Sequence, residues 1–129
     1  MTTIIAVDDD PSIRALVEAT LAPEGYRVLC VSNGNEALSV ARECDPDIVL
    51  LDIFMPDTDG YTLMRELREV TEAPVVFLTG FAGEYEVARG LESGTEDYVT
   101  KPFSPPFLLA KLKAILRRHR ASDNSAIED

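Results

Sequence analysis

The sequence predicts an α/β fold built on a doubly wound, five-stranded parallel sheet with helices on both faces. Short apolar runs, such as residues 48–51, are typical of strands that are buried on both sides. These runs alternate with longer segments in which apolar residues recur at helical spacing. Strands that alternate with helices favour parallel pairing through right-handed crossovers, and among the doubly wound strand orders we expect 2-1-3-4-5.

The first half of the chain holds three predicted strands and two predicted helices. The strands cover about residues 4–8, 26–31 and 48–52, and the helices cover about residues 11–21 and 33–44. Asp10 and Pro11 suit the cap and the first turn of the first helix. Asn33, with Glu36 three residues later, resembles a capping box that opens the second helix. Turn residues at 23–25 and 45–47 end the two helices.

The second half holds two predicted strands and three predicted helices. The strands cover about residues 75–79 and 97–100, and the helices cover about residues 60–70, 84–92 and 105–120. A turn-rich loop at residues 56–60 precedes the first of these helices, Gly94 ends the second, and Ser104 caps the last. We expect one domain over residues 1–120, followed by a polar tail or the start of a linker over residues 121–129.

Composition limits the classes of protein that fit. The 129 residues are 46% hydrophobic and 27% charged, which is typical of one soluble globular domain. No apolar stretch has the length of a bilayer span, and no signal peptide is recognisable, so we expect a cytoplasmic protein without a membrane contact. Cys30 and Cys44 lack the spacing of metal ligands, which makes a zinc site improbable.

The charge of −11 is unevenly distributed along the chain. Residues 1–97 contain 20 acidic and 6 basic residues, whereas residues 98–122 contain six basic residues and no acidic one. The basic stretch is explained by a solvated helix face with cations near its C-terminus. A docking surface or a nucleic-acid contact is the alternative, but the acidic domain as a whole would repel DNA. We therefore expect nucleic acid to be bound only through an effector domain outside this chain.

Polar side chains follow four of the predicted strands at the point where each strand ends. Asp8 and Asp9 follow the first strand, Asp52 ends the third, Thr79 ends the fourth and Lys101 follows the fifth. In doubly wound sheets the functional crevice lies at the carboxyl ends of the strands. The carboxylates would repel one another there unless a cation balanced them, and Mg²⁺ prefers such oxygen ligands. This inventory predicts a site for a divalent cation and a phosphoryl group.

Structural explanations compete with this prediction. The acidic run at residues 8–10 could simply complement the dipole of the first helix, and for Asp10 we accept that explanation. Asp52 could be a structural cap at the end of its strand. Asp52 shares the predicted edge with the Thr79 hydroxyl and the Lys101 ammonium, however, and such a set can neutralise the three equatorial oxygens of a transferred phosphoryl group.

Four motifs in order make the chain resemble a response-regulator receiver domain, the phosphoacceptor half of two-component signalling. The similarity covers nearly all of residues 3–120. The motifs are VDDDP at residues 7–11, LLDIFMP at residues 50–56 with DG at 59–60, FLTG at 77–80, and DYVTKPF at 97–103.

The resemblance implies a role for each site residue. Asp52 is the phosphoacceptor, and Asp8 and Asp9 organise Mg²⁺ (with Mn²⁺ as an alternative ion) together with Asp52 and the backbone carbonyl of Phe54. Thr79 is the switch hydroxyl and Lys101 is the lysine that binds phosphate.

Three further positions follow from the resemblance. Tyr98 is the aromatic side chain that responds to Thr79, and the peptide bond before Pro102 is cis. Gly80 stands where alanine is commoner in the family, and its small size should keep the phosphoryl pocket open.

The implied function is a signalling switch rather than a turnover enzyme. It would receive its phosphoryl group from a sensor histidine kinase or a phosphotransfer protein, and it would catalyse only its own phosphorylation and dephosphorylation. The output surface would comprise the predicted helix over 84–92, the fifth strand and the last helix, and we expect a homodimer to form there on phosphorylation.

Two other functions compete with this one. A haloacid-dehalogenase-like phosphatase would use Asp8 as the nucleophile and Asp10 as the acid/base, but its later acidic metal-binding motif is missing after Lys101, and the chain is short for a substrate cap. A flavodoxin-like flavin carrier would need a phosphate cradle after the first strand, where this chain has three aspartates that would repel a phosphate.

Overall fold

The computed structural model describes residues 1–80 and 97–128, with Thr79 and residues 121–128 described by their backbone alone. Its strands are β1 (Thr3–Val7), β2 (Arg27–Val31), β3 (Ile48–Asp52), β4 (Val75–Thr79) and β5 (Asp97–Thr100). Its helices are α1 (Pro11–Leu21), α2 (Gly34–Cys44), α3 (Gly60–Arg68) and a C-terminal helix (Pro105–Glu128). The predicted helix over 84–92 lies outside the described residues.

The strands form one parallel sheet in the order β2-β1-β3-β4-β5, so the predicted fold class and strand order are confirmed. Val7 lies opposite Leu51 in the register of β1 and β3. Asp8 and Asp52 each come one residue later, and they therefore leave adjacent strands at the same edge. At the other side of the sheet Thr79 lies opposite Thr100, so Lys101 leaves β5 at that edge too.

Apolar side chains cover both faces of the sheet, as the continuous apolar runs predict. Alternate residues of β1 contribute to different layers, with Ile5 and Val7 in the layer under α2 and α3, and Ile4 and Ala6 in the layer under α1 and the C-terminal helix. In the first layer Tyr61 and Phe77 meet edge to face, with ring centroids 5.3 Å apart. The sheet is therefore rigidly supported on both sides, and its carboxyl edge is held in place.

The three predicted N-terminal helix caps are present, whereas the predicted helix end at Gly94 lies outside the described residues. Asp10 accepts a hydrogen bond from the backbone N–H of Ser12 at 2.8 Å, and Asn33 accepts one from that of Glu36 at 2.9 Å. Ser104 accepts one from the backbone N–H of Phe107 at 3.2 Å. Each bond satisfies an amide that the first turn of a helix leaves without an intrahelical partner.

Some predicted boundaries were wrong. The C-terminal helix continues to Glu128 instead of ending near residue 120, since residues 121–128 contain no proline or glycine that would stop it. α3 ends at Arg68 instead of residue 70, because Val70 turns back to the carbonyl of Leu67 through a tighter, three-residue bond. The division of the chain at residue 120 stays a prediction. None of the described helices has the length and the apolar composition that crossing a membrane requires.

Candidate functional site

Asp8 is the most deeply buried charged group at the carboxyl edge of the sheet. Its side chain is 1% exposed, and its Oδ2 lies 2.7 Å from Nζ of Lys101. Its other oxygen, Oδ1, accepts a hydrogen bond from the backbone N–H of Asp10 at 2.9 Å. Both carboxylate oxygens are thus held, one by an ammonium and one by an amide, which offsets the cost of burying the charge.

Arg14 holds the backbone of Asp8 in place through a second contact. Its Nη1 donates to the backbone carbonyl of Asp8 at 2.7 Å, which fixes the peptide that joins Asp8 to Asp9. Arg14 is a site residue that the sequence motifs do not predict. Its position in the first turn of α1, directly after the acidic run, was the one signal available.

Asp52 ends β3 beside this pair. Its side chain is 10% exposed, and its Oδ2 lies 3.6 Å from Nζ of Lys101, so one ammonium contacts both Asp8 and Asp52. Its Oδ1 accepts a hydrogen bond from the backbone N–H of Phe54 at 3.3 Å. One carboxylate oxygen each of Asp8, Asp9 and Asp52 lie within 4.8 Å of one another, and we call these three residues the acidic cluster.

The environment of Asp52 disfavours its charged form. Burial raises the pKa of its carboxyl above the ordinary value, and the neighbouring charge of Asp8 raises it further. Lys101 and the Phe54 N–H lower the pKa in part. A cation that bound here would therefore relieve an unfavourable concentration of negative charge.

The loop between β3 and α3 carries Phe54, whose side chain is 64% exposed. The base of the loop is closed by a bridge between Phe54 and Asp59 and by a 2.6 Å hydrogen bond from the Gly60 N–H to the Ile53 carbonyl. A Cβ at position 60 would lie 2.7 Å from the Cα of Ile53 and 3.1 Å from the carbonyl oxygen of Asp52. Glycine at position 60 is required for this close approach.

Thr79 and Gly80 lie at the same edge of the sheet, and Tyr98 lies two residues before the end of β5. The backbone places Thr79 at the end of β4, opposite Thr100, and Gly80 follows it at an exposed position. Tyr98 is half-buried, pairs with Phe77 in the register of β4 and β5, and packs against the layer under α2 and α3. The peptide bond between Lys101 and Pro102 is cis.

The donor set of the acidic cluster fits a hard divalent cation. It offers carboxylate oxygens without a thiol or an imidazole, and oxygen ligands of this kind suit Mg²⁺. Asp9 is exposed, so the cluster is open to solvent on one side. The open acidic cluster can therefore bind a cation, and the Lys101 ammonium beside it can bind an anionic group.

Comparison with known proteins agrees with this geometry. The family model of the response regulator receiver domain matches residues 4–113. A two-component response regulator from Clostridium difficile is 33% identical with a TM-score of 0.89, and the match covers 92% of this chain and 98% of that one. The BeF3-activated N-terminal receiver domain of Klebsiella pneumoniae RstA is 38% identical with a TM-score of 0.84, over 90% of this chain and 99% of that one.

The chemotaxis protein CheY4 of Vibrio cholerae is 31% identical with a TM-score of 0.83, and the match covers 89% of this chain and 98% of that one. The residues matched by the family model include all five strands, from the second residue of β1 onward, and the edge that carries the acidic cluster. The chain therefore belongs to the response regulator receiver domain family, and it is a receiver domain of a two-component response regulator.

Proposed function

We propose that the domain is a phosphoacceptor switch in which Asp52 takes a phosphoryl group from a sensor histidine kinase or a phosphotransfer protein. The observation that carries the proposal is the position of Asp52 within 4.8 Å of two other carboxylates and 3.6 Å from the Lys101 ammonium. Asp52 is the more accessible of the two buried aspartates, since its side chain is 10% exposed and that of Asp8 is 1% exposed. It is therefore the better placed nucleophile.

Asp8, Asp9, Asp52 and the backbone carbonyl of Phe54 would hold Mg²⁺, or Mn²⁺ as an alternative. When bound, the cation supplies positive charge that neutralises the carboxylates and a phosphoryl oxygen. The presence of three carboxylates with close oxygens supports this assignment.

The chain's own residues account for the transfer step. A carboxylate oxygen of Asp52 forms a new bond to phosphorus as the bond from phosphorus to the donor's imidazole nitrogen breaks, and the imidazole leaves with the electron pair of that bond. The Lys101 ammonium pairs with one phosphoryl oxygen, the Thr79 hydroxyl donates to another, and the small Gly80 leaves room for the group. These contacts act on charge that is spread over the equatorial oxygens.

Thr79 and Tyr98 would transmit the effect of phosphorylation from the site to the output surface. The phosphoryl group attracts the Thr79 hydroxyl, and Tyr98, on the adjacent strand, rotates into the space that this movement leaves. The half-buried position of Tyr98 and its register beside β4 support this relay. The output surface would include β5 and the C-terminal helix, whose Phe107 is 52% exposed. We expect this surface to support a homodimer after phosphorylation.

The phosphatase alternative is weaker on the geometry of Asp10 and Asp8. The Asp10 carboxylate caps α1 through the Ser12 N–H, and the Asp8 side chain is 1% exposed against 10% for Asp52. We therefore propose that the domain is not a turnover enzyme. We also propose that it works in the cytoplasm, the typical location of receiver domains. Nucleic acid would be bound only through an effector domain that is not part of this chain.

The test is phosphorylation by acetyl phosphate and Mg²⁺, followed by intact mass measurement and reductive trapping of the modified residue. We expect one phosphoryl group on Asp52, no incorporation in D52N, and normal incorporation in D10N, which keeps the cap because asparagine caps helices as well as aspartate. Modification of Asp8 with steady turnover of phosphate esters, abolished in D10N, would instead show the phosphatase.

A further inference from the structure

Asp57 joins the loop between β3 and α3 to a separate element, the first turn of α2. Its Oδ1 accepts a hydrogen bond from the Gly34 N–H at 3.0 Å, and its Oδ2 accepts one from the Asn35 N–H at 3.2 Å. Asp57 is 23 residues from Gly34 in the chain, so this is a tertiary contact. The next amide, that of Glu36, is taken by the cap residue Asn33. The loop thus supplies the acceptor for two amides that α2 cannot satisfy internally.

The contact is close as well as polar. A Cβ at position 34 would lie 2.7 Å from Cγ2 of Thr58 and 3.4 Å from Oδ2 of Asp57. The absence of a side chain at Gly34 therefore lets the loop rest directly on the helix. The hydrogen bonds from both amides also explain why the pKa of the Asp57 carboxyl is lowered from its ordinary value, although the side chain is exposed.

The attached loop is the one that carries Phe54. Its base is closed between Phe54 and Asp59, and its middle is exposed at Pro56 and Asp57. A backbone carbonyl binds a cation well only when its peptide is held in one orientation, and partners outside the ligand set commonly provide that restraint. The two bonds from Asp57 to α2 hold the middle of this loop against the helix.

We infer that Asp57 is a positioning residue for the divalent-cation site, because it fastens the loop that carries the Phe54 carbonyl to the start of α2. The inference rests on the proposed function, in which that carbonyl is a ligand. Since coupling between two sites is reciprocal, binding of Mg²⁺ should in turn strengthen the bonds from the Gly34 and Asn35 amides to Asp57. The stability of the first turn of α2 should therefore depend on whether the cation is bound.

The test measures Mg²⁺ binding to the unphosphorylated protein by titration calorimetry in three variants. D57A removes the contact between loop and helix. N33A removes a cap from the same helix end without touching the loop, and E36Q removes a nearby negative charge without removing either contact. We expect the Mg²⁺ dissociation constant of D57A to rise about tenfold, as for other partners outside a metal's ligand set, and those of N33A and E36Q to stay unchanged.

A second readout is amide hydrogen exchange at Gly34 and Asn35. We expect Mg²⁺ to slow exchange of both amides in the wild type and to leave them unaffected in D57A. The inference is overturned by a D57A dissociation constant equal to that of the wild type, by equal weakening in N33A, which would point to general loosening of α2, or by equal weakening in E36Q, which would point to charge alone.

Phosphorylation of the wild type, measured in parallel, separates this inference from the proposed function. If Asp52 of the wild type is phosphorylated with Mg²⁺ and D57A binds Mg²⁺ normally, the role of Asp57 alone is refuted. If the wild type binds no Mg²⁺ and Asp52 stays unmodified, the proposed function fails and the role of Asp57 fails with it.

Discussion

The ammonium nitrogen of Lys101 lies 2.7 Å from the Oδ2 atom of Asp8, although 93 residues separate the two in the chain. The pair connects the ends of β1 and β5, which have β3 and β4 between them in the sheet. Because Asp8 is almost fully buried, the Lys101 ammonium is the main compensation for its charge. The same ammonium contacts Asp52, so this one lysine partly neutralises two carboxylates of the acidic cluster.

Replacing Lys101 with methionine should destabilise the metal-free domain. The variant keeps an unbranched side chain but leaves the buried Asp8 carboxylate without its ionic partner, at a cost of about 2 kcal/mol in the free energy of unfolding. Mg²⁺ should restore more stability to K101M than to the wild type, because the cation supplies the missing positive charge. Urea unfolding with and without Mg²⁺ measures both effects.

Lys113 provides the matched control. It pairs with Glu24 at 3.2 Å, but the two side chains are 47% and 36% exposed. K113M should therefore change the free energy of unfolding by less than about 1 kcal/mol. Equal losses in K101M and K113M would contradict the importance assigned to the buried pair.

Replacing Asp52 with asparagine should stabilise the metal-free domain near neutral pH. The folded-state pKa of Asp52 is raised, so its contribution to stability is fully present below the ordinary value of 3.8 and is lost as the pH rises through the folded value. Asparagine carries no charge and avoids that loss. The advantage of D52N should thus be greatest near pH 7 and shrink as the pH falls toward 3.8.

Chemical unfolding in EDTA over this pH range measures the difference between D52N and the wild type. A difference that stays constant with pH would show that the effect does not come from titration of Asp52. A wild type more stable than D52N at neutral pH would show that Lys101 outweighs burial at this carboxylate.

Mg²⁺ should raise the thermal stability of the wild type, because a ligand that binds only the folded state stabilises it. At a free concentration about one hundred times the dissociation constant the gain is about 2.7 kcal/mol. D9N should lose most of this gain without losing stability in EDTA, since Asp9 is exposed and its charge is not needed for folding. A calorimetric scan of both proteins with Mg²⁺ and then with excess EDTA tests this, and an equal response of D9N would remove Asp9 from the ligand set.

Replacing Gly60 with alanine should destabilise the fold by about 2 kcal/mol, because the new methyl group would overlap backbone atoms that cannot move away easily. The overlap is with the Ile53 Cα at 2.7 Å. Gly80 is the comparison, since a Cβ there would meet no atom of the described residues within 4 Å. Unfolding of G60A and G80A in denaturant checks the difference, and a G60A variant as stable as G80A would show that the loop base is pliable.

The order of elements was predictable because the physical signals are local. The strands β3, β4 and β5 were predicted with their observed bounds. β3 and β4 are short apolar runs between turn residues, and β5 is a short segment with Tyr98 and Val99 at its centre. The starts of α1 and α2 followed from Asp10 and Asn33, whose capping bonds reach only two or three residues along the chain. The placement of Asp8, Asp52 and Lys101 at one edge followed from parallel pairing, because the carboxyl ends of parallel strands share an edge of the sheet.

The contacts that sequence reasoning missed join segments without periodic structure. The bonds of Asp57 to the start of α2 depend on the path of an exposed loop, and that path has no repeating pattern from which to predict it. The bond from Arg14 to the Asp8 carbonyl depends on a long side chain turning back over its own helix. The end of the C-terminal helix was misjudged because polar residues without proline or glycine are compatible with either a helix or a tail.

The alternation of β1 between two apolar layers has a consequence for insertions and deletions. Ile4 and Ile5 are both buried in apolar core layers, one on each face of the sheet. A one-residue shift of β1 would therefore still bury apolar side chains on both faces. The burial of apolar side chains therefore opposes a one-residue shift in the register of β1 only weakly. A one-residue shift would, however, separate Asp8 from Lys101. The ion pair therefore forms only when β1 is in its correct register.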